Sequence, residues 1–471
     1  MAKRVVSECR FKGLLVILLL ATLLAGCAPA APTPTAVPTP LPVPTSPPAP
    51  TSPPAPTATP VPEEVTVTMW TWMNPEGQSP REVVFKQILD GFAEEYPYIT
   101  VEVTSVHWQE IDAKWRASVE TGSAPDLVWL LASVPDRWKF LVNLDETVLT
   151  EMSKEDLDDI VTMNTDQSRI GTDANLGFPI WPSVGSLLYY RKDLFAEAGI
   201  EAPLRTWDDF LEAGQALSRD TDADGDIDVW GYGDAFGERA AIATAFFYAL
   251  ADLQPSFYDK DSKTPLFDNE NAVKAAQLTV DLVNKGVMPR DAIANDYETM
   301  LEQFQRGRFA MVHGGSHRYG SIKAGVGFGE ENLGIMPWPT WDGDRVGPGF
   351  GGAGWTIGIT KGTENVEAAG TLLRHIMSLE SSRLWMEVGG QVPNRRSLQN
   401  DPFLKKPENH FLALPAQILS EHYYTSDPVW INSAETAPAI NEALQQMMMD
   451  GKVDVALLEA ANERIKRAQE Y

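Results

Sequence analysis

Hydrophobic and polar residues alternate along the first part of the chain in a pattern that predicts strands followed by helices. Residues 65–70 and 99–103 alternate with a period of two, which is typical of half-buried strands. Residues 81–96 and 111–120 instead place apolar side chains three and four positions apart, which predicts helices. Residues 126–130 form a short apolar run that indicates a third strand. Strands that alternate with helices predict βαβ units and a largely parallel sheet.

The α/β pattern continues to the end of the chain. Further strands are predicted at 309–312 and 355–359, and the tail from 435 to 469 has helical spacing. In open α/β sheets, ligands bind beyond the carboxyl ends of the strands. Residues 72–76 and 129–136 follow the first and third strands, so these loops are expected to carry binding residues.

The N-terminus has the pattern of an export signal. Basic residues at positions 3, 4, 10 and 12 precede an apolar run from Leu14 to Ala25. This run is too short to span a bilayer, which takes about 20 residues in a helix, and is typical of a signal peptide. It ends in Leu-Ala-Gly-Cys27, which resembles the bacterial lipobox, so we expect residues 1–26 to be removed and Cys27 to be lipidated. The alternative is an ordinary signal peptide that happens to contain a cysteine.

Composition divides the rest of the chain into a spacer and a large body. Residues 27–63 form a Pro/Thr-rich linker, since 15 of the 35 residues from 28 to 62 are proline and none is charged. Such a segment favours extended polyproline II and buries no core. The remaining ~400 residues are more than one core usually holds, so two lobes are expected.

Cysteine content and charge exclude several classes of function. The only two cysteines are Cys9 and Cys27, so the body has none for disulfides, cysteine-ligated zinc or thiol catalysis. The net charge of −27 argues against nucleic acid and polyanionic ligands. It also disfavours phosphate, although the local charge of a binding site can override the charge of the whole protein.

Seven segments of the body occur in the order found in a known transport family. They resemble the ABC-transporter extracellular solute-binding proteins, in particular the sugar-binding family that includes maltose-binding proteins. The segments are the strand ending at Trp70, Phe92–Pro97, Gly122–Val128, Gly177–Pro179 with Leu188–Phe195, Thr206–Phe210, Phe304–Met311 and Gly390–Pro393. The chain departs from the family pattern at Arg191, where asparagine is usual, and at His317, where tryptophan is frequent.

This resemblance implies an α/β fold with two lobes, three hinge crossings and a ligand cleft between the lobes. The first lobe is expected to contain residues 64–177 and 337–378, and the second lobe residues 185–333 and 383–471. The implied function is that of an extracytoplasmic, lipid-anchored protein that captures a mono- or oligosaccharide. It would act as a monomer without catalysis or nucleic acid, and would deliver the sugar to the permease subunits of an ABC importer.

Sugar binding requires flat aromatic side chains for the C–H face of the ring and polar groups for its hydroxyls. The chain has 14 tryptophans, several at loop positions. Candidate ligand-binding residues of the first lobe are Trp72, Asn74, Glu76, Trp129, Trp341 and Trp355. Those of the hinge and second lobe are Trp181, Phe236, Arg239, Ser316 and His317. Core packing is the alternative for each tryptophan, and it is the preferred interpretation for Trp115, Trp207, Trp230 and Trp385.

Two local motifs resemble cofactor sites. Carboxylates alternate around a glycine at Asp220, Asp222, Asp224, Asp226 and Asp228, like the first part of a calcium loop. The twelfth position is Gly231 instead of a glutamate, so a solvated acidic turn is the alternative to structural calcium. Residues 349–354 match G-x-G-x-x-G but precede a predicted strand and no helix, so the dinucleotide interpretation fails.

Two other classes of function stay open at this point. An exported glycoside-acting enzyme would use a cleft with aromatic residues and two carboxylates. The sequence contains no H-E-x-x-H or G-x-S-x-G motif and singles out no acid pair. A binding protein for a polyol, a glycerol phosphodiester or a polyamine is the third possibility, and the aromatic content favours sugar over these ligands.

Overall fold

The structure is a computed structural model of the chain. The described residues are 63–131, 137–163, 166–169, 172–182, 185–237, 242–254, 256–259, 262, 264–347, 349–351, 355–421, 423–425 and 433–469. The predicted signal peptide, Cys27 and the linker before residue 63 therefore lie outside the described residues, as does Arg239. No helix in the described ranges is both long enough and apolar enough to cross a membrane.

Strands and helices alternate through the described body. The strands are β1 (Val65–Thr71), β2 (Ile99–Ser105), β3 (Leu127–Leu131), β4 (Phe178–Pro179), β5 (Ser186–Arg191), β6 (Trp230–Gly233), β7 (Phe309–Gly315), β8 (Leu333–Met336), β9 (Gly349–Gly351), β10 (Trp355–Ile359) and β11 (Tyr423–Thr425). The helices are α1 (Pro80–Glu95), α2 (Ile111–Thr121), α3 (Lys154–Asp159), α4 (Asp166–Arg169), α5 (Lys192–Ala198), α6 (Trp207–Leu217), α7 (Thr244–Leu253), α8 (Glu270–Asn284), α9 (Tyr297–Gln305), α10 (Tyr319–Gly325), α11 (Val366–Ile376), α12 (Leu379–Glu387), α13 (His410–Glu421), α14 (Ser433–Asp450) and α15 (Val455–Gln469). The predicted α/β class is confirmed.

The sheet of the first lobe has the strand order β2-β1-β3-β10-β4. Strand β1 pairs in parallel with β2 and β3, as the βαβ pattern predicts, whereas β10 is antiparallel to β3 and β4. Helix α1 follows β1 after a capping box, in which the Ser79 hydroxyl accepts from the Glu82 backbone N–H and the Glu82 carboxylate accepts from the Ser79 backbone N–H. This cap fixes where the helix begins beyond the carboxyl end of the sheet.

The sheet of the second lobe has the order β6-β7-β5-β8. Strand β5 is antiparallel to β7 and β8, and only the β6–β7 pair is parallel. The prediction of a largely parallel sheet therefore holds for the first three strands of the chain and is wrong for this sheet. The reason is that β5 and β7 are separated by several helices, so the chain can return in either direction.

Asp126 joins three parts of the first lobe and is 8% exposed. Its carboxylate accepts hydrogen bonds from the Thr68 N–H and hydroxyl, both at 2.7 Å, from the Thr363 hydroxyl, and from the Asn365 amide at 3.3 Å. Burial disfavours the charge of Asp126, but the hydrogen bonds from Thr363 and Thr68 outweigh this effect and lower its pKa. The Pro-Asp-Leu-Val motif is thus a structural junction between β1, β3 and the start of α11.

Arg395 connects the segment after α12 to the first lobe. Its side chain is 1% exposed. One guanidinium nitrogen donates to the Asp156 carboxylate of α3, and the other donates to the Met377 carbonyl at 2.5 Å. The Asn394 amide also donates to the Pro179 carbonyl at 2.7 Å. Contacts of the chain with the first lobe therefore extend as far as Arg395.

These contacts correct the expected lobe boundaries. Trp385 of α12 lies in the first-lobe core cluster, whereas Met386 and Val392 lie in a second-lobe cluster, so α12 contacts both lobes and does not belong to the second lobe alone. Trp338 stacks on Tyr248 of the second lobe, with ring centroids 4.8 Å apart, and Trp341 donates its indole N–H to the Ala249 carbonyl at 2.8 Å. Residues 337–347 thus pack on the second lobe, and the first lobe regains the chain only at β10. The resemblance gives the order of segments but not the residue at which each crossing occurs.

Candidate functional site

A cavity of about 870 Å³ opens between the two lobes. Its first-lobe and hinge walls contain Trp72, Arg81, Trp108, Gln109, Trp181, Pro182, Trp355, Gly390, Gln391 and Val392. Its second-lobe wall contains Asp296, Tyr297, Glu298, Ser316, His317, Arg318 and Ser321. The volume lies in the range of about 300–1,000 Å³ that is usual for small-molecule sites.

Three tryptophans from different parts of the chain form the first-lobe wall. Trp72 follows β1, Trp355 opens β10, and Trp181 lies at the hinge after β4. The Trp72 ring lies 5.6 Å from that of Trp355 and 6.4 Å from that of Trp181, at interplanar angles of 39° and 70°. The structure thus brings together three of the predicted ligand-binding residues in one aromatic cluster at the carboxyl edge of the sheet.

Trp108 is a cavity residue that the sequence analysis missed. It lies in the loop after β2 and is 48% exposed, which is unusual for a large aromatic side chain. The rule that directed attention to the loops after the first and third strands applies equally to the loop after the second. Applied there, it would have identified Trp108 and its neighbour Gln109.

Arg81 extends from the first turn of α1 into the cavity. Its guanidinium carbon lies 5.8 Å from the centroid of the Trp72 ring and 5.4 Å from that of Trp181. A guanidinium N–H donates to the His317 carbonyl of the second lobe at 3.4 Å. Burial and, second, the nearby charge of Arg318 lower the pKa of Arg81. Sequence spacing places this residue on a helix but gives no sign of its contact with the other lobe.

The second-lobe wall presents polar groups opposite the tryptophans. Arg318 forms an ion pair with Glu298, and its guanidinium carbon lies 5.4 Å from the Tyr297 ring centroid. His317 is open to solvent in the cleft, yet the enclosing walls and then the charge of Arg81 lower its pKa to about 4. The imidazole is therefore neutral near pH 7 and can both donate and accept hydrogen bonds. Ser316, also predicted, lines the same wall.

Other predicted ligand-binding residues lie outside this cavity. Trp129 is fully buried beneath the aromatic cluster, with its ring 5.4 Å from Phe85 and 5.9 Å from Trp181. Phe236 is 2% exposed in the second-lobe core. Trp341 packs in the second lobe, where the Lys274 ammonium lies 3.8 Å from its ring centroid. Core side chains cover the rings of Trp129 and Phe236, whereas Trp341 is half-buried and packs against the second-lobe core away from the cavity.

Asn74 and Glu76 form the exposed turn after β1 without lining the cavity. The Glu76 N–H donates to the Asn74 side-chain oxygen at 3.1 Å, which closes this turn. Among the tryptophans expected to be structural, Trp115, Trp207 and Trp385 are at most 3% exposed, and Trp230 is half-buried.

The acidic loop brings three carboxylates together on the surface. Oxygens of Asp220, Asp222 and Asp224 lie within 4.8 Å of one another, and all three residues are exposed. The Asp220 carboxylate already accepts backbone N–H groups of its own loop, chiefly that of Gly225 at 2.8 Å, which lowers its pKa. Asp228 accepts from the Thr221 N–H and hydroxyl. The twelfth position, Gly231, lies in β6 and offers no side-chain ligand, so calcium binding stays a prediction.

The described half of the glycine-rich segment forms a strand. Residues 349–351 are β9, which pairs in parallel with β11, and residues 352–354 lie outside the described ranges. No described helix begins directly after them, as a dinucleotide site requires. The rejection of the dinucleotide interpretation agrees with this arrangement.

Comparison with known proteins identifies the family of this chain and supports its fold. The profile of the bacterial extracellular solute-binding protein family matches residues 73–380. A binding protein of Brucella abortus is 22% identical over 391 residues, which cover 80% of this chain and 88% of that protein. The arabinooligosaccharide-binding protein of Bacillus subtilis is 25% identical over 211 residues, or 43% of this chain and 45% of that protein.

Solved structures show the same fold. The cyclic α-maltosyl-1,6-maltose binding protein from Arthrobacter globiformis superimposes with a TM-score of 0.70 at 20% identity, over 86% of this chain and 99% of that one. The sugar-binding protein MalE from Xanthomonas citri also has a TM-score of 0.70, at 19% identity over 86% and 97% of the two chains. The family profile covers more than half of the chain, and the two-lobed fold with its interlobe cavity agrees with it. The chain belongs to the bacterial extracellular solute-binding proteins.

Proposed function

We propose that this protein binds a mono- or oligosaccharide in the interlobe cavity and delivers it to an ABC importer. The observation that carries this proposal is the aromatic cluster of Trp72, Trp181 and Trp355 facing a polar wall across the cavity. A pyranose ring has a C–H face that packs on tryptophan and a rim of hydroxyls that needs hydrogen-bonding groups. The names of the arabinooligosaccharide- and maltose-type relatives support the same ligand class.

The two-lobed arrangement suggests how binding is signalled. A sugar that contacts both the tryptophans of the first lobe and the Ser316–Arg318 segment of the second stabilises the closed arrangement over an open one. The permease subunits would recognise this closed state and receive the sugar unchanged. The cavity then serves capture and release, and no bond of the sugar is made or broken.

The location follows from the family and from the N-terminus. Extracellular solute-binding proteins act outside the cytoplasm. Lipidation of Cys27 would anchor the protein by two acyl chains, with the Pro/Thr-rich linker as a spacer between the membrane and a monomeric body. Labelling with a radioactive fatty acid tests this: the wild-type chain should incorporate the label, and Cys27→Ala should not.

A thermal-shift screen of the full chain tests the ligand class. The panel contains monosaccharides, oligosaccharides, polyols, glycerophosphates and polyamines. A ligand at a hundred times its dissociation constant adds about 2.7 kcal/mol to the free energy of unfolding, so a true ligand is readily detected. If a saccharide stabilises the protein and is recovered intact, the proposal stands. Stabilisation by polyols, glycerophosphates or polyamines alone, or cleavage of the sugar, contradicts it.

Two matched variants locate the site. Trp72→Ala removes the central ring of the aromatic cluster and should abolish the shift caused by the saccharide. Trp230→Ala removes a half-buried tryptophan that does not line the cavity and should retain the shift. Equal loss in both variants would indicate a general effect on folding and contradict the assigned site.

A further inference from the structure

Arg81 is a cation in the cavity without a compensating anion. Across the described ranges, no carboxylate lies within ion-pair distance of its guanidinium group, although the chain contains 65 acidic and only 38 basic residues. A guanidinium group has five N–H donors. The structure gives Arg81 one hydrogen bond, to the His317 carbonyl, and its length of 3.4 Å exceeds the usual N–H···O range.

Arg81 packs beside two aromatic rings that offer it no hydrogen-bond acceptor. Its guanidinium carbon lies 5.8 Å from the Trp72 ring centroid and 5.4 Å from that of Trp181, within the distance at which a cation interacts with an aromatic ring. The in-plane N–H groups are the ones that pair with acceptors. Arg81 is thus held in place by the same rings that we propose as the platform for a sugar.

The acidic groups of the opposite wall are already engaged. Glu298 is ion-paired with Arg318, and Asp296 caps α9 by accepting the Thr299 N–H at 2.7 Å. Arg318 lies close enough to Arg81 for its charge to contribute to the lowered pKa of Arg81. Both acids of this wall are therefore engaged on the second lobe, and in the described ranges no carboxylate pairs with Arg81.

We infer that the saccharide carries a carboxylate, as in an oligosaccharide that contains a hexuronate unit, and that Arg81 recognises this group. The inference rests on the function proposed above and specifies the ligand class of the same site. A carboxylate matches the planar guanidinium fork with two parallel hydrogen bonds. In a hexuronate the carboxylate lies at the rim of the ring, so the C–H face stacks on tryptophan while the acid meets Arg81. A neutral sugar would accept hydrogen bonds from Arg81 but would leave its charge uncompensated.

The acidity of the whole chain does not oppose this ligand. The net charge of −27 is a property of the entire sequence, whereas the cavity walls carry two arginines that balance the two acids named above. At physiological ionic strength, exposed charges more than about 8 Å away are largely screened. The local pair of Arg81 and a ligand carboxylate is screened less, because Arg81 is half-buried.

Calorimetric titration of the full chain with matched probes tests the inference. The probes are di- and trisaccharides of galacturonate, glucuronate and mannuronate, each alongside its methyl ester, which has nearly the same shape without the charge. We expect one acid to bind about 10- to 100-fold more tightly than its ester, the range that charged hydrogen bonds provide. Added salt should weaken binding of the acid and leave that of the ester nearly unchanged.

Three variants assign this preference to Arg81. Arg81→Gln should bind the acid and the ester equally, and Arg81→Lys should restore part of the preference because it restores the charge. Lys86→Gln is the matched control, since it removes a positive charge from the same helix at an exposed residue paired with Asp90. It should keep the full preference. Melting temperatures of all three variants verify that they are folded.

Each result has a definite meaning. The inference is supported if Arg81→Gln loses the preference for the acid while Lys86→Gln keeps it. An ester that binds as tightly as its acid, or an acid preference retained in Arg81→Gln, overturns it. If neutral saccharides bind and no hexuronate does, the inference fails while the proposed function stands. If no saccharide binds, charged or neutral, both fail.

Discussion

Trp108 offers a direct test of the sugar-binding surface, because its ring is on the cavity wall and largely outside the core. A tryptophan buries up to about 250 Å² when fully covered. Since Trp108 is 48% exposed, roughly 120 Å² is open, and a sugar stacked on one face covers about half of that, ~60 Å². At about 25 cal/mol per Å², the covered surface contributes ~1.5 kcal/mol. We therefore expect Trp108→Ala to raise the Kd for an oligosaccharide roughly tenfold.

Isothermal titration calorimetry with the saccharide identified by the thermal-shift panel measures this change. Trp108→Phe should retain most of the affinity, because a smaller aromatic face remains. Met449→Ala is a suitable control, since Met449 is 51% exposed on α14 and does not line the cavity. Surface substitutions change the free energy of unfolding by about 0.5 kcal/mol or less, so Trp108→Ala should melt like the wild type. An unchanged Kd in a normally folded Trp108→Ala protein would refute the assignment of this ring to the binding surface.

Three further predictions concern the charged groups. Arg395→Ala should lower the free energy of unfolding by about 3 kcal/mol, the lower end for a broken buried ion pair because the Asp156 side chain is 39% exposed; a loss below 1 kcal/mol in urea unfolding would contradict this. Asp126→Asn should cost about 2 kcal/mol at pH 7. The folded state lowers the pKa of Asp126, so its contribution to stability is present above the ordinary carboxyl pKa and is lost as pH falls through the lowered pKa. The difference in stability between the wild type and the variant should therefore shrink as the pH is lowered below the ordinary carboxyl range. NMR titration of His317 should give a midpoint near pH 4, moved upward by Arg81→Gln, whereas a midpoint near 6.5 would show that the walls do not affect the ring.

Much of the first lobe is predictable from local pattern. Alternation predicts β1 and β2, helical spacing predicts α1 and α2, and a short apolar run predicts β3. The rule that ligands bind beyond the strand ends correctly directs attention to the loop after β1, where Trp72 lies. The structure also places Trp181 and Trp355 on the cavity wall, and their role in binding stays a prediction.

The failures have a common physical cause. Trp129 was selected for its position near a strand end, but it lies within β3, and both faces of that strand are buried: Val128 and Leu130 pack in one core cluster and Trp129 in another. The alternation of side chains along a strand does not show whether one face or both faces of that strand are buried. Arg81 could not be identified because its role depends on a carbonyl 236 residues further along the chain.

The lobe boundaries failed for a related reason. Segments that resemble a family fix the order of elements, whereas the crossing points are decided by which core encloses each large side chain. Trp338 is 1% exposed among Trp207, Phe210 and Tyr232 of the second lobe, and nothing in its local sequence indicates this. Because of its packing, a segment of about ten residues that was expected in the first lobe belongs to the second lobe.

The insertion of β10 between β3 and β4 determines when the first lobe can fold. The Thr356 hydroxyl donates to the Leu130 carbonyl across a sequence separation of 226 residues. A chain emerging from the ribosome or from a translocation channel therefore presents β1, β2 and β3 early. It lacks β10, the strand that joins β3 to β4, until about three-quarters of its length has appeared. Closing so long a loop slows folding. The edge of β3 that pairs with β10 has no partner strand during that time, and an unpaired strand edge can pair with other chains.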